Sequence, residues 1–140
     1  MQTKAKKNII FARLFPEEDV NDMLKEVCTI HNVKTAVVVS GIGQLKNSKL
    51  GYFKEKGNYT SKTFNKPLEI LSLTGNIIKQ NKEYVLHLHI ILGEENTKTI
   101  GGHFIEGKIS VTGEIVMLNT DIEVKRELDK KTGLKALFLE

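Results

Sequence analysis

Residues 84–104 read YVLHLHIILGEENTKTIGGHF, and the organisation of the rest of the chain follows from them. They hold His87, His89 and His103, three of the four histidines in the 140 residues. In His87-Leu88-His89 the imidazoles stand two residues apart, and on an extended strand residues i and i+2 share a face. The other parity, Leu86, Leu88 and Ile90, is apolar and suits a face turned to a core. Gly93-Glu94-Glu95-Asn96 reads as a turn or loop. Gly101-Gly102 then lets the backbone return in almost any conformation, and His103 follows directly. If the two runs pair as neighbours, His103 approaches the His87/His89 face.

Three neutral imidazoles on one side of a metal, with a fourth position open, suit zinc. The same spacing also suits rings that fill a half-polar surface and hydrogen-bond to backbone, so both readings stand. His31 falls at an expected helix end, where a cation complements the dipole and no ligand role is required. A metal that activates a water or polarises a carbonyl calls for a carboxylate nearby as general base. The candidates are Glu69, Glu94, Glu95, Glu106 and Glu114. Glu69 and Glu114 come first, because each interrupts a strand-like apolar run where an unpaired charge is costly. Exposure to solvent or pairing with a lysine accounts for the same two residues.

Working outward, Asn8 to Leu14 (NIIFARL) reads as a short strand. Pro16 is expected to open a helix, with Glu17, Glu18 and Asp19 in its first turn. Val20, Met23, Leu24, Val27 and Ile30 form its apolar stripe, and His31-Asn32 ends it. Thr35 to Ser40 suits a buried strand. Gly41-Ile42-Gly43 reads as a bulge or tight bend, since no third glycine and no helix pattern follow to make a phosphate cradle. Leu45 to Phe53 is a further strand, and Tyr59 to Phe64 a short polar segment. LEILSLTGNI, from Leu68, is a strand closed by Gly75-Asn76. Gly107 to Leu118 is strand-rich with Gly113 as a break. Ile122 to Leu128 and Leu134 to Leu139 form a hairpin. About eight strands and one helix that do not alternate give an α+β class: a central, largely antiparallel sheet with one main amphipathic helix packed on it. The length suits one domain, 1–140. A single helix leaves one sheet face uncovered, and a second copy of the chain is the expected cover.

At 40% hydrophobic and 27% charged residues the composition is that of a globular chain. No apolar run approaches the roughly 18 residues of a membrane span, and the first ten residues lack the apolar core of a signal peptide. A cytoplasmic protein with no membrane partner is the expectation. Cys28, the lone cysteine, falls in the helix pattern and reads as a small buried residue. The net charge of +4 is spread over the chain with acidic residues between. Lys4/Lys6/Lys7 and Lys130/Lys131 are too short to make a phosphate track. The arginines are Arg13 and Arg126, and no Arg-Gly-Arg run suited to a minor groove is present.

Several motifs occur in a telling order: VVVSGIGQL with LGYF, FNKPLEILSLTGNI, YVLHLHIILG, GGHFIEGKISVTGEIVML and DKKTGLKALFL. Together they resemble the PPC ("plants and prokaryotes conserved") domain over nearly the whole chain, in its stand-alone prokaryotic form without an AT-hook. The resemblance implies an α+β domain assembled as a homotrimer, with the HLH and GGH histidines near the subunit boundary. It implies zinc as cofactor in some prokaryotic members, carried here by His87, His89 and His103. Plant members act on AT-rich DNA, and by that analogy DNA is a partner and the role DNA-associated or regulatory. The alternative is a metal-dependent enzyme, hydrolase or lyase-like, acting on a small molecule at the histidines. A third reading has the metal merely fasten the trimer, in a closed site.

Overall fold

Along Ile9–Leu14 burial alternates residue by residue, with Ile10, Ala12 and Leu14 buried and Ile9 and Phe11 exposed. This period of two runs through most of the chain and decides its architecture. The computed structural model describes residues 1–139. Its elements are β1 (Gln2–Lys6), β2 (Ile9–Leu14), α1 (Val20–Ile30), β3 (Thr35–Glu55), β4 (Asn58–Phe64), β5 (Leu68–Gln80), β6 (Glu83–Gly93), β7 (Thr99–Thr120), β8 (Val124–Leu128) and β9 (Lys135–Leu139). The first seven strands form one sheet in the order β1-β2-β7-β6-β5-β3-β4, and β8-β9 is a separate hairpin. Every strand pairing is antiparallel. β7 also pairs with β3, so β3, β5, β6 and β7 hydrogen-bond in a closed circuit.

The chain is therefore mostly β, 69% strand against 8% helix, and the α+β expectation is corrected. The reason lies in the glycines expected to end strands. Gly43 and Gly113 pair with each other inside β3 and β7, and Gly75 lies in the middle of β5. Gly75 sits at φ +148, and a Cβ there would stand 2.0 Å from the carbonyl oxygen of His87. The glycine admits a close approach between strands where the sequence suggested a stop. Bulges in β3, after Val38 and after Gly43, absorb the bends. β1 was not expected; it pairs with β2 through a turn at Lys7, whose φ is 55°.

The helix starts later than Pro16. Asp19 is its N-cap and accepts from the backbone N–H groups of Asn21 and Asp22 at 2.9 and 3.1 Å. Glu17, at φ 75°, lies outside the helical region. Val20, Leu24, Val27 and Cys28 are buried, while Ile30 is exposed. Burial pushes the Cys28 thiol up to about 12, so it stays protonated and inert. His31 is the C-cap, and its Nε2 lies 2.9 Å from Thr3 Oγ1. One apolar cluster joins the helix to β2, β3, β5, β6 and β7, with Leu45, Leu73, Ile77, Leu88 and Met117 among its members. No helix among the described residues is long and apolar enough to cross a membrane.

Candidate metal centre

Strand parity builds the site. On β6 the even positions Leu88, Ile90 and Leu92 are buried in the core, which turns His87, His89 and Ile91 to the opposite face. β7 returns beside β6 with His103 directly across from His89. The three rings are 5.2 to 5.5 Å apart between centroids, and one ligand atom from each lies within 4.8 Å of the others. Tetrahedral zinc, with Zn–N near 2.0–2.1 Å, asks for nitrogen spacings of roughly 3.4 Å. Tyr59, from β4, meets His103 edge-on at 6.3 Å.

Two residues absent from the sequence expectations complete the site. Asn76 lies across from His87 on β5. Arg126, on β8, reaches both: its Nη2 donates to Asn76 Oδ1 at 2.6 Å and lies 3.1 Å from His87 Nδ1. Nη1 donates to the Lys135 carbonyl at 3.1 Å, and Nε is buried without a partner. Gln80 fixes the hairpin by accepting from the Arg126 N–H at 2.9 Å and donating to its carbonyl at 3.1 Å. Arg126 is 7% exposed. The signal was parity: Val124, Arg126 and Leu128 share a face of β8, which sets the arginine in an apolar row.

Burial lowers the His87 pKa to about 4, helped by the charges of Arg126, His103 and His89. His103 is lowered by burial, then by His89 and Arg126. Both rings are thus neutral near pH 7, the form that ligates a metal. All-nitrogen donors and neutral rings fit zinc. The cluster opens on a cavity of about 660 Å³, also lined by Tyr52, Phe53, Leu86 and Leu134.

The carboxylates fall elsewhere. Glu69 is exposed on β5, accepts from Gln44 Nε2 at 2.6 Å, and lines a different cavity with Glu94 and Glu95. Lys66 donates to Glu94 at 2.8 Å and, ahead of burial, holds its carboxyl below the usual range. Glu106 pairs across from Lys49, and Glu114 is exposed between Arg13 and Ile42. None of these five lines the histidine cavity within one chain.

The family model of the Plants and Prokaryotes Conserved (PCC) domain matches residues 1–121. Among solved structures, a candidate DNA-binding protein from Bacteroides thetaiotaomicron is similar at 26% identity and TM-score 0.91, covering 99% of this chain and 96% of that one. A metal-containing protein from Archaeoglobus fulgidus is similar at 25% identity and TM-score 0.84, covering 98% and 96%. A curated relative, the bifunctional protein GlmU of a Synechococcus strain, is 28% identical over 130 residues, 91% of this chain and 20% of that protein. This chain thus spans about a fifth of the length of the curated relatives it matches. On the match over 1–121, with His87, His89 and His103 all inside it, the chain belongs to the Plants and Prokaryotes Conserved domain family.

Proposed function

We propose that this chain is a homotrimeric, zinc-binding regulatory protein associated with DNA, with the metal held by His87, His89 and His103. The observation that carries the reading is the trio of imidazole nitrogens within 4.8 Å, open on one side to a cavity. Zinc bound by three histidines would supply a Lewis-acid centre with a position free for a ligand. The metal-containing relative from Archaeoglobus supports the assignment. No Asp or Glu of the same chain lines the cavity among the described residues, so a single chain sets no general base beside the histidines. This favours ligand sensing over a hydrolase or lyase, and the open side disfavours a purely structural fastener.

The trimer is supported by the outer sheet face. Ile9, Leu118 and Val37 lie in one cross-strand row, and Phe11 and Val116 in the next. Phe11 is 61% exposed and Val37 45%, an apolar surface that association of copies would cover. DNA as a partner is supported by the Bacteroides relative and by the net charge of +4.

The test is elemental analysis of untagged protein beside a His87→Ala/His89→Ala variant, with mass by light scattering and DNA binding measured against salt. Near-stoichiometric zinc lost in the variant, a three-chain mass and a linear fall of log affinity with log salt are expected. Absence of metal from both proteins, even after zinc is supplied, would sink the metal reading. Salt-independent or absent DNA binding would remove the DNA role.

A further inference from the structure

The histidine cavity carries a second feature that the metal does not use. Arg126 is a buried guanidinium with no carboxylate partner among the described residues. Its partners are a carbonyl, an amide oxygen and an imidazole nitrogen, all neutral. Those contacts use three of its five N–H donors, and the buried Nε has no partner at all. A desolvated cation without a counter-charge is costly, and leaving a donor unpaired adds to the cost. Yet the hairpin β8-β9 is anchored through Gln80 so as to hold the guanidinium there. Lys135 lines the same cavity, as do the three histidines, and no acidic residue does.

We propose that the histidine cavity binds a small organic carboxylate whose head is held by Arg126. The charge balance calls for an anion, and the planar fork of a guanidinium matches a carboxylate. The walls select the rest of the molecule. Phe53, Tyr59, Leu86 and Leu134 give the cavity an apolar lining, and 660 Å³ is the size of a small-molecule site. An organic acid with an aromatic or aliphatic body fills that space, whereas a bare inorganic anion leaves it wet. The proposal names the ligand class for the sensing site proposed above and rests on that reading of the cavity.

The chain's two arginines make the test direct. In protein labelled with ¹⁵N-arginine, the Nε–H signals belong to Arg13 and Arg126, and an Arg126→Lys variant tells them apart. Benzoate, its uncharged counterpart benzamide and inorganic phosphate are titrated into metal-stripped and zinc-loaded protein. Benzoate is expected to shift the Arg126 signal saturably while benzamide leaves it in place. By calorimetry, Arg126→Gln is expected to bind benzoate roughly tenfold more weakly or worse, the loss of a charge-assisted pair. An Arg126 signal unmoved by benzoate in both forms, moved equally by benzamide, or moved by phosphate alone overturns the proposal. The wild-type titration decides this even if Arg126→Gln fails to fold. A benzoate response in protein that takes up no zinc keeps the carboxylate site and removes the metal. Zinc uptake with no benzoate response does the reverse.

Discussion

Nη2 of Arg126 lies 3.1 Å from Nδ1 of His87, a contact that would have to break for His87 to hold a metal. A guanidinium only donates, so Nδ1 accepts and the proton of the neutral ring sits on Nε2. A metal held at Nε2 would need that proton on Nδ1, where it would face a donor, and one held at Nδ1 would take the lone pair that Arg126 uses. In either case the arginine would have to release His87.

Removing the arginine should therefore tighten metal binding. Arg126→Met loses both the competing hydrogen bond and a nearby positive charge, together on the order of 1–2 kcal/mol at the effective dielectric of a partly buried site. Zinc affinity measured against a competing chelator is expected to rise about tenfold or more. An unchanged or weaker affinity would mean that Arg126 supports the metal rather than opposing it.

The histidines also set a pH dependence in the metal-free protein. The His87 pKa in the fold, about 4, lies below its ordinary 6.5, so the unfolded chain takes up a proton over that interval and the fold does not. Stability from this group is whole above 6.5 and is lost as pH falls towards 4. His103 is lowered in the same direction. Urea midpoints of the metal-free protein should drop as the pH is lowered through this window, and the drop should be shallower in His87→Gln. Identical pH profiles for the two proteins would contradict the lowered pKa.

Gly75 couples the backbone to the site. With φ at +148 and His87 O 2.0 Å from any added Cβ, Gly75→Ala must push β5 away from β6 at the histidine itself. A loss of about 2 kcal/mol or more by urea unfolding is expected, together with weaker zinc binding. Full stability in Gly75→Ala would show that the strands separate there at no cost.

The outer sheet face gives the last prediction. Phe11→Lys adds a charge to the exposed row beside Val116 without touching the core. Light scattering should report a smaller assembly, with far-ultraviolet dichroism unchanged. An unaltered mass would place the subunit contacts elsewhere.

The sequence made the histidine cluster readable because parity and one tight return suffice: His87 and His89 share a face, and His103 follows two glycines. The apolar stripe of Val20, Met23, Leu24, Val27 and Ile30 is equally plain up to Val27, since helical spacing survives whatever packs on it, whereas Ile30, in the last turn, is exposed. The long strands were not. Gly43, Gly75 and Gly113 look like stops one residue at a time, and only the partner strand shows each to be a point of close passage or a bend. The helix start was misplaced because proline favours a first turn, while the capping carboxylate of Asp19 fixes the true one. Glu69 and Glu114 drew attention as charges in apolar runs, yet a strand with one wet face holds such residues at no cost. Arg126 escaped because its partners, Asn76 and His87, lie some 40 to 50 positions away in the chain.

Arg126 lies beyond residue 121, outside the stretch matched to the family, whereas the three histidines lie inside it. The three imidazoles and the guanidinium are thus carried by different elements, the β6–β7 pair and the β8-β9 hairpin. The β8-β9 hairpin shares no strand pairing with the circuit that orients the imidazoles, so it acts on them through side chains, Arg126 reaching His87 and Asn76 directly.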